Sequence, residues 1–260
     1  MKKLAFILLA VPLLWGCSKK TVTTVVHSKA AFAEIEPLWA NVDIISVPAI
    51  DPSTARASVW SRNVLHDLTV KTAKLGKLNI WGSWQGPVTG IPCSLVVSTP
   101  LGTSRGTVVI PRDVTILSPI QNDTLPWGDA TVVWYCPDQP VWYEISFNYT
   151  AYDTNRNQMG YADTQLVTRD TLAVIPAGFL RRYPSAPYIC GYGTVYAHTG
   201  AYPGEADNLS GDIRGYLIGT DWGDGIGFYM GSPPLGLGSA TPPRITEEKR
   251  RESLRKFYGM

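Results

Sequence analysis

Thr131-Val132-Val133-Trp134-Tyr135-Cys136, a turn from Pro137 to Pro140, and then Val141-Trp142-Tyr143-Glu144-Ile145-Ser146-Phe147 decide the fold. Successive side chains of an extended chain point to opposite faces, so Val132, Trp134 and Cys136 share one side of the first run, and the second run alternates likewise. β-branched and aromatic residues dominate both, as they do on half-buried pleated surfaces. The same pattern continues outward. Downstream lie Thr171-Leu172-Ala173-Val174-Ile175-Pro176 and Tyr188-Ile189-Cys190-Gly191-Tyr192; upstream lies Val114 to Pro119, ending in a polar turn at Gln121-Asn122-Asp123-Thr124.

The preceding block has the same character. Asn41 to Val47, Arg56 to Trp60, Leu68 to Thr72 and Leu78 to Trp81 are strand candidates. Cys93 to Ser98 and Thr107 to Ile110 flank Pro100-Leu101-Gly102 as a hairpin. Short strands at about ten-residue spacing predict a sandwich or barrel. Composition agrees: in 260 residues, 45% hydrophobic and 17% charged content exclude a disordered chain, and 24 Gly with 20 Pro favour many turns. Further on, Gly215 to Gly219 and Ile226 to Tyr229 flank Asp221-Trp222-Gly223-Asp224-Gly225, which predicts a hairpin turning on Asp-Gly.

A Trp-bearing strand, a Tyr-bearing strand, an apolar strand ending in Pro176-Ala177-Gly178, then Leu180 and the strand led by Tyr188 together resemble a fibronectin type III or immunoglobulin-like sandwich. The resemblance spans roughly residues 113 to 197. It implies that Trp134 is a core tryptophan and Tyr188 the tyrosine of the sixth strand. Cys190, two residues beyond Tyr188, then stands where an inter-sheet disulfide would place it, and Cys136 on the facing strand is the implied partner. The residues themselves leave the alternative of two buried thiols packing as small hydrophobes. Cys93 reads as a core residue.

The N-terminus carries a different signal. Lys2 and Lys3 precede twelve residues from Leu4 to Trp15, too short a stretch for the roughly 20 apolar residues of a spanning helix. The ending Leu14-Trp15-Gly16-Cys17 resembles a bacterial lipobox, which implies that Cys17 is acylated, palmitate included, and becomes the mature N-terminus anchored in the membrane. Ser18 follows, where Asp would mark inner-membrane retention; in a Gram-negative source this implies the cell outer membrane. Loss of Lys2 and Lys3 takes the 23 basic residues to 21, equal to the acidic 21, so nothing electrostatic favours a nucleic-acid partner.

The expected architecture is therefore all-β. It comprises a lipoprotein signal peptide (1–17), a tether (18–37), and two consecutive immunoglobulin- or fibronectin III-like sandwich modules (38–112 and 113–232, the second closing on the hairpin). A linker with a basic tail helix (233–260) completes it. Thr246 is a helix N-cap candidate, Glu247 and Glu248 follow it, and Arg255 with Lys256 ends the helix, an order that suits the helix dipole in a solvated tail.

Candidate chemistry is sparse. Gly-x-Ser-x-Gly, P-loop, dinucleotide-binding and His-Glu-x-x-His patterns are missing. No catalytic residue, cofactor or metal is predicted. Asp221 and Asp224, with Glu205, Asp207 and Asp212 nearby, lack the alternating spacing of a calcium loop. Trp81, Trp84, Trp127, Trp142 and Trp222 lie near turns or at outward positions, where flat rings could stack on sugars. The sequence thus points to an envelope lipoprotein that is structural or adhesive and acts by binding protein or glycan, with a glycan-binding lipoprotein as the runner-up and a hydrolase third.

Overall fold

A computed structural model describes residues 28–74, 76–138, 142–231 and 245–260. Lipidation of Cys17 falls outside them. The first strands are β1 (Ser28–Glu36), β2 (Trp39–Val47), β3 (Arg56–Ser61), β4 (Val64–Lys74), β5 (Lys77–Ser83), β6 (Pro92–Thr99) and β7 (Gly102–Val109). Then come β8 (Thr115–Ser118), β9 (Asp123–Thr124), β10 (Ala130–Tyr135), β11 (Trp142–Tyr152), β12 (Gln158–Thr168), β13 (Leu172–Ile175) and the one-turn helix α1 (Ala177–Leu180). The chain ends with β14 (Tyr188–Gly200), β15 (Ser210–Gly211), β16 (Arg214–Thr220), β17 (Asp224–Gly231) and α2 (Glu247–Phe257). The fold is all-β with a short C-terminal helix.

Two cores organise these strands. In the first unit the order β16-β1-β2-β5-β4-β3-β6-β7-β15 wraps around Ala31, Ala33, Ile35, Val42, Ile44, Val59, Ile80 and Leu95. The sheet curls until β7 meets the chain entering β16: Ser104 Oγ donates to the Ile213 carbonyl and accepts from the Ile213 N–H, both at 2.7 Å. In the second unit β12, β11, β14 and β17 face the three-stranded sheet β13-β10-β8 across Trp134, Tyr143, Phe147, Ile189 and Phe228. This is a sandwich, and Trp134 is 2% exposed at its centre. Phe147 and Phe228 stack 4.8 Å apart over β14, and a Cβ at Gly191 would stand 1.9 Å from the Phe228 ring, so only glycine lets the strand pass beneath.

Three sequence expectations are corrected. Residues 28–36 are not tether: β1 alternates Ala31, Ala33 and Ile35 into the first core and pairs with both β2 and β16, the latter in parallel. The module boundaries shift as well, because Leu209, Ile213 and Leu217 return from the second block to the first core.

Nor do β16 and β17 form a hairpin. Both pair antiparallel with β14, one after the other along the same edge, with His198 opposite Thr220 and Val195 opposite Asp224. The reason is Asp221. Its buried carboxylate accepts backbone N–H bonds from Val114, Ala197 and Gly223, and Gly223 adopts φ +68°, so the Asp-Gly segment bends the chain along β14 instead of reversing it.

One sheet thus runs through both units, with β1 near its middle. A chain begun at Leu38 strips a central strand and opens β2 and β16 as edges. It is expected to show no cooperative urea transition by tryptophan fluorescence, whereas a chain begun at Ser18 unfolds cooperatively. A cooperative transition in the Leu38 fragment would contradict the placement of β1.

Candidate functional site

Alternation along the continuous sheet sends one set of side chains into the cores and the other onto an outer face. Across that face lie Phe32, Glu34 and Glu36 from β1, Trp142 and Glu144 from β11, Tyr196 and His198 from β14, and Thr220 from β16. Helix α2 is laid across them. Thr246 caps it, its Oγ1 accepting from the Lys249 N–H, and Leu254 and Tyr258 pack beside Phe32, Trp142 and Ile218.

The basic tail is therefore not solvated. Arg250, 1% exposed, donates to Glu34 (2.7 Å), Glu36 (3.1 Å) and Glu144 (2.9 Å), and its Nε reaches Glu247 at 2.8 Å. Its guanidinium also lies 4.6 Å from the Tyr196 ring. Arg251 stands 3.2 Å from Glu34, and Arg251 and Arg255 both donate to Asp43. Burial raises the energy of charge at Glu34, yet the Arg250 and Arg251 charges bring its carboxyl down to about 2. Glu36 goes the other way: burial and the neighbouring Glu34 charge push it well above the ordinary value. For Arg250, burial is outweighed by the surrounding carboxylates and the group is held well above its usual range.

His198 is fully buried, which lowers its pKa despite Glu144 Oε2 at 3.4 Å. Its ring stacks on Trp142 (4.1 Å between centroids), and Nδ1 lies 3.0 Å from Thr220 Oγ1, which donates to Glu34. This group of carboxylates, imidazole and guanidinium is sealed beneath α2 and paired internally, so a substrate has no route to it.

Beside the helix the same face is open. A cleft of about 860 Å³ lies between α2 and the outer surface of β2, β5 and β4. Trp39, Asn41, Asn79 and Trp81 form its floor, with Lys71, Lys74 and Lys77 on the far rim. Asn79 donates to Asn41 and Asp43, each at 2.7 Å.

Of the five tryptophans expected to stack on ligands, the cleft takes Trp81 alone. Trp84 is half-buried, its indole N–H donating to the Pro37 carbonyl and its ring lying against His66. Trp127 packs against the second core, Trp142 is buried under α2, and Trp222 is 45% exposed away from the cleft lining. Buried Trp142 cannot serve as a stacking platform. Trp39, which is not among those five, completes the floor. Its signal was the two-residue alternation Trp39, Asn41, Asp43 on β2, opposite Trp81 and Asn79 on β5.

The Cys136–Cys190 bridge is also corrected. Cys136 points into the second core with Trp134, whereas Cys190 shares its strand face with Tyr188, opposite to core-facing Ile189. The sheet itself separates the two sulfurs. Burial raises the pKa of both thiols and takes Cys190 to about 11; Cys93 is likewise buried and pushed to about 11. Tyr188 stacks on Tyr229 outside the core. Burial raises Asp221 to about 7 against its backbone donors, and among the described residues no three His, Cys, Asp or Glu side chains converge as a metal site.

No protein-family model and no curated protein matches the chain. Among solved structures it is similar to a mutant alpha-2-macroglobulin from Salmonella (8% identity, TM-score 0.26, 78% of this chain and 15% of that one). It is likewise similar to trypsin-activated alpha-2-macroglobulin from Escherichia coli (10%, 0.23, 75% and 16%). The chain thus spans about a sixth of those proteins, and likeness at this level assigns neither family nor function.

Arg250→Met keeps much of the side-chain volume but leaves buried carboxylates unpaired. It is expected to cost about 3–5 kcal/mol in urea denaturation; a loss below ~1 kcal/mol would mean the cluster does not hold the helix. Ionised Glu34 is favoured in the folded chain, so its contribution is complete above the ordinary 4.5 and disappears as pH falls toward about 2. Glu34→Gln should therefore be less stable at pH 7 but show a shallower fall in urea midpoint between pH 4.5 and 2. An unchanged slope would refute the assignment.

Proposed function

We propose that the protein is a lipid-anchored component of the cell envelope, held by acylated Cys17, that acts by binding rather than by catalysis. The observation that carries the binding role is the open cleft beside α2, where two tryptophans, two asparagine amides and a cationic rim converge on a rigid three-stranded floor. Concave sites with a few apolar platforms and oriented polar groups are the usual form of ligand sites. Against a hydrolase stands the fate of the acid–base groups: Glu34, Glu36, Glu144 and His198 are committed to Arg250 and Thr220 beneath the helix. A glycan is the favoured ligand class, because Trp39 and Trp81 lie at the cleft floor with Asn41 between them and Asn79 beside Trp81.

The anchor rests on the lipobox-like ending at Cys17. No helix among the described residues is long and apolar enough to cross a membrane; the acyl chains that the Cys17 ending implies would supply the anchor. The full-length protein is expected to incorporate labelled palmitate and to partition into detergent, and Cys17→Ser to lose both. A Cys17→Ser chain that stays in the membrane fraction would sink the anchor. Crosslinking in intact envelopes should trap a component on the wild type that is lost when Trp81 is replaced by Ala; its retention would move the binding role away from the cleft.

A further inference from the structure

We propose that the cleft between α2 and the β2–β5–β4 surface is a site for an acidic saccharide, a glycan whose units carry carboxylates. This rests on the binding role proposed above and names its ligand class.

Charge on the cleft is unevenly satisfied. On the helix side, Arg251 and Arg255 share Asp43, and Glu247 is turned to Arg250. On the opposite rim, Lys71, Lys74 and Lys77 are exposed, and none of them meets a carboxylate among the described residues. Glu248 is the remaining acid of the lining. Lys74 and Lys77 are directly opposed in the β4–β5 register. Like charges facing each other across a strand pair destabilise it, so this pair costs the hairpin stability that a bound anion would restore.

The floor selects for a sugar rather than for any anion. Neighbouring strands lie about 4.8 Å apart and same-face residues along a strand about 6.7 Å apart. Trp39 is diagonal to Trp81, since Asn41 stands opposite Trp81, which sets the two rings about 7–8 Å apart at their Cβ ends. Each ring has a cation beside it: Lys71 Nζ is 5.4 Å from the Trp81 centroid and the Arg251 guanidinium 5.7 Å from that of Trp39. A saccharide unit laid on Trp81 would displace the exposed Lys71 ammonium from the ring face and leave it within reach of the unit's carboxylate. Asn41 stands between the rings, next to Trp39 along β2 and opposite Trp81, and Asn79, just beyond Trp81, holds it by donating to its Oδ1, which leaves the Asn41 amide N–H and the Asn79 carbonyl for hydroxyls. Apolar platform, neutral amides and flanking cations are what a sugar ring bearing a carboxylate presents in complement.

The test titrates full-length protein with hexagalacturonate, followed by tryptophan fluorescence and calorimetry. Binding is expected, with cellohexaose, similar in length but uncharged, at least about tenfold weaker, ~1.4 kcal/mol. Replacing Lys71, Lys74 and Lys77 together by Gln should weaken hexagalacturonate by about tenfold, again ~1.4 kcal/mol, and leave the Tm equal or higher. Trp81→Ala should abolish the fluorescence change. Absence of binding, equal affinity for cellohexaose, equal or tighter binding of inorganic polyphosphate or oligothymidylate, or indifference to the lysine replacements would each overturn the assignment. If hexagalacturonate fails while envelope crosslinking still traps a Trp81-dependent component, the binding role stands and the acidic-saccharide assignment alone falls.

Discussion

Everything on the outer face of the sheet depends on one buried guanidinium. Arg250 meets Glu34 and Glu36 on β1 and Glu144 on β11, so a single side chain from the C-terminal helix ties a strand of the first unit to a strand of the second. Taking these charges out of water is costly, and a buried ion network adds little net stability over apolar packing. Its effect is on alternatives: any arrangement in which Arg250 is displaced leaves carboxylates buried and unpaired. Apart from Arg250, α2 buries only Leu254 within its span, with Tyr258 just beyond, so the ionic contacts define where on the sheet the helix lies.

That placement propagates. Once Arg250 is seated, the helical repeat brings Arg251 and Arg255 to one side, where both reach Asp43 and make the wall of the cleft. The floor belongs to β2, β5 and β4, rigid because their other face is packed into the first core. The units are joined rather than strung together: β14 carries β17 and β16 in line on one edge, Asp221 holds the bend between them, and β16 continues in parallel to β1. Truncations at apparent module boundaries therefore cut through a shared sheet.

The sequence revealed strand type well and long-range placement poorly, for a physical reason. Alternation of two is local, so Val132-Trp134-Cys136 and the hairpin around Pro100-Leu101 could be read directly, and Trp134 does fill the second core. Which strand a segment joins is a tertiary matter. Residues 28–36 show no turn chemistry and no clear hydrophobic period, since Phe32 shares its face with Glu34 and Glu36, and only pairing with β2 and β16 makes them a strand. Asp-Gly at 224–225 reads as a turn because nothing local shows that Asp221 accepts from N–H groups 24 and 107 residues upstream. The implied Cys136–Cys190 bridge failed on parity: one residue's shift along β14 would have pointed Cys190 inward. Arg250, among six basic residues of the tail, carries no sequence mark that separates it from the other five.

The outer face holds two sets of charges under opposite conditions, and the contrast is what assigns their roles. Beneath α2, Glu34, Glu36 and Glu144 are buried and converge on Arg250, with Arg251 beside Glu34, so these groups are already committed to holding the helix. Across the cleft, Lys74 opposes Lys77 with no acid between, and Lys71 leans over an aromatic ring that gives it only partial compensation. Folding could have removed that repulsion with a single acidic residue at either position of the pair, at no cost to a surface hairpin. Groups kept in an unfavourable arrangement that an external anion would relieve mark a surface built to receive one. The tryptophan floor between them restricts the anion to one that also presents a flat, weakly polar face.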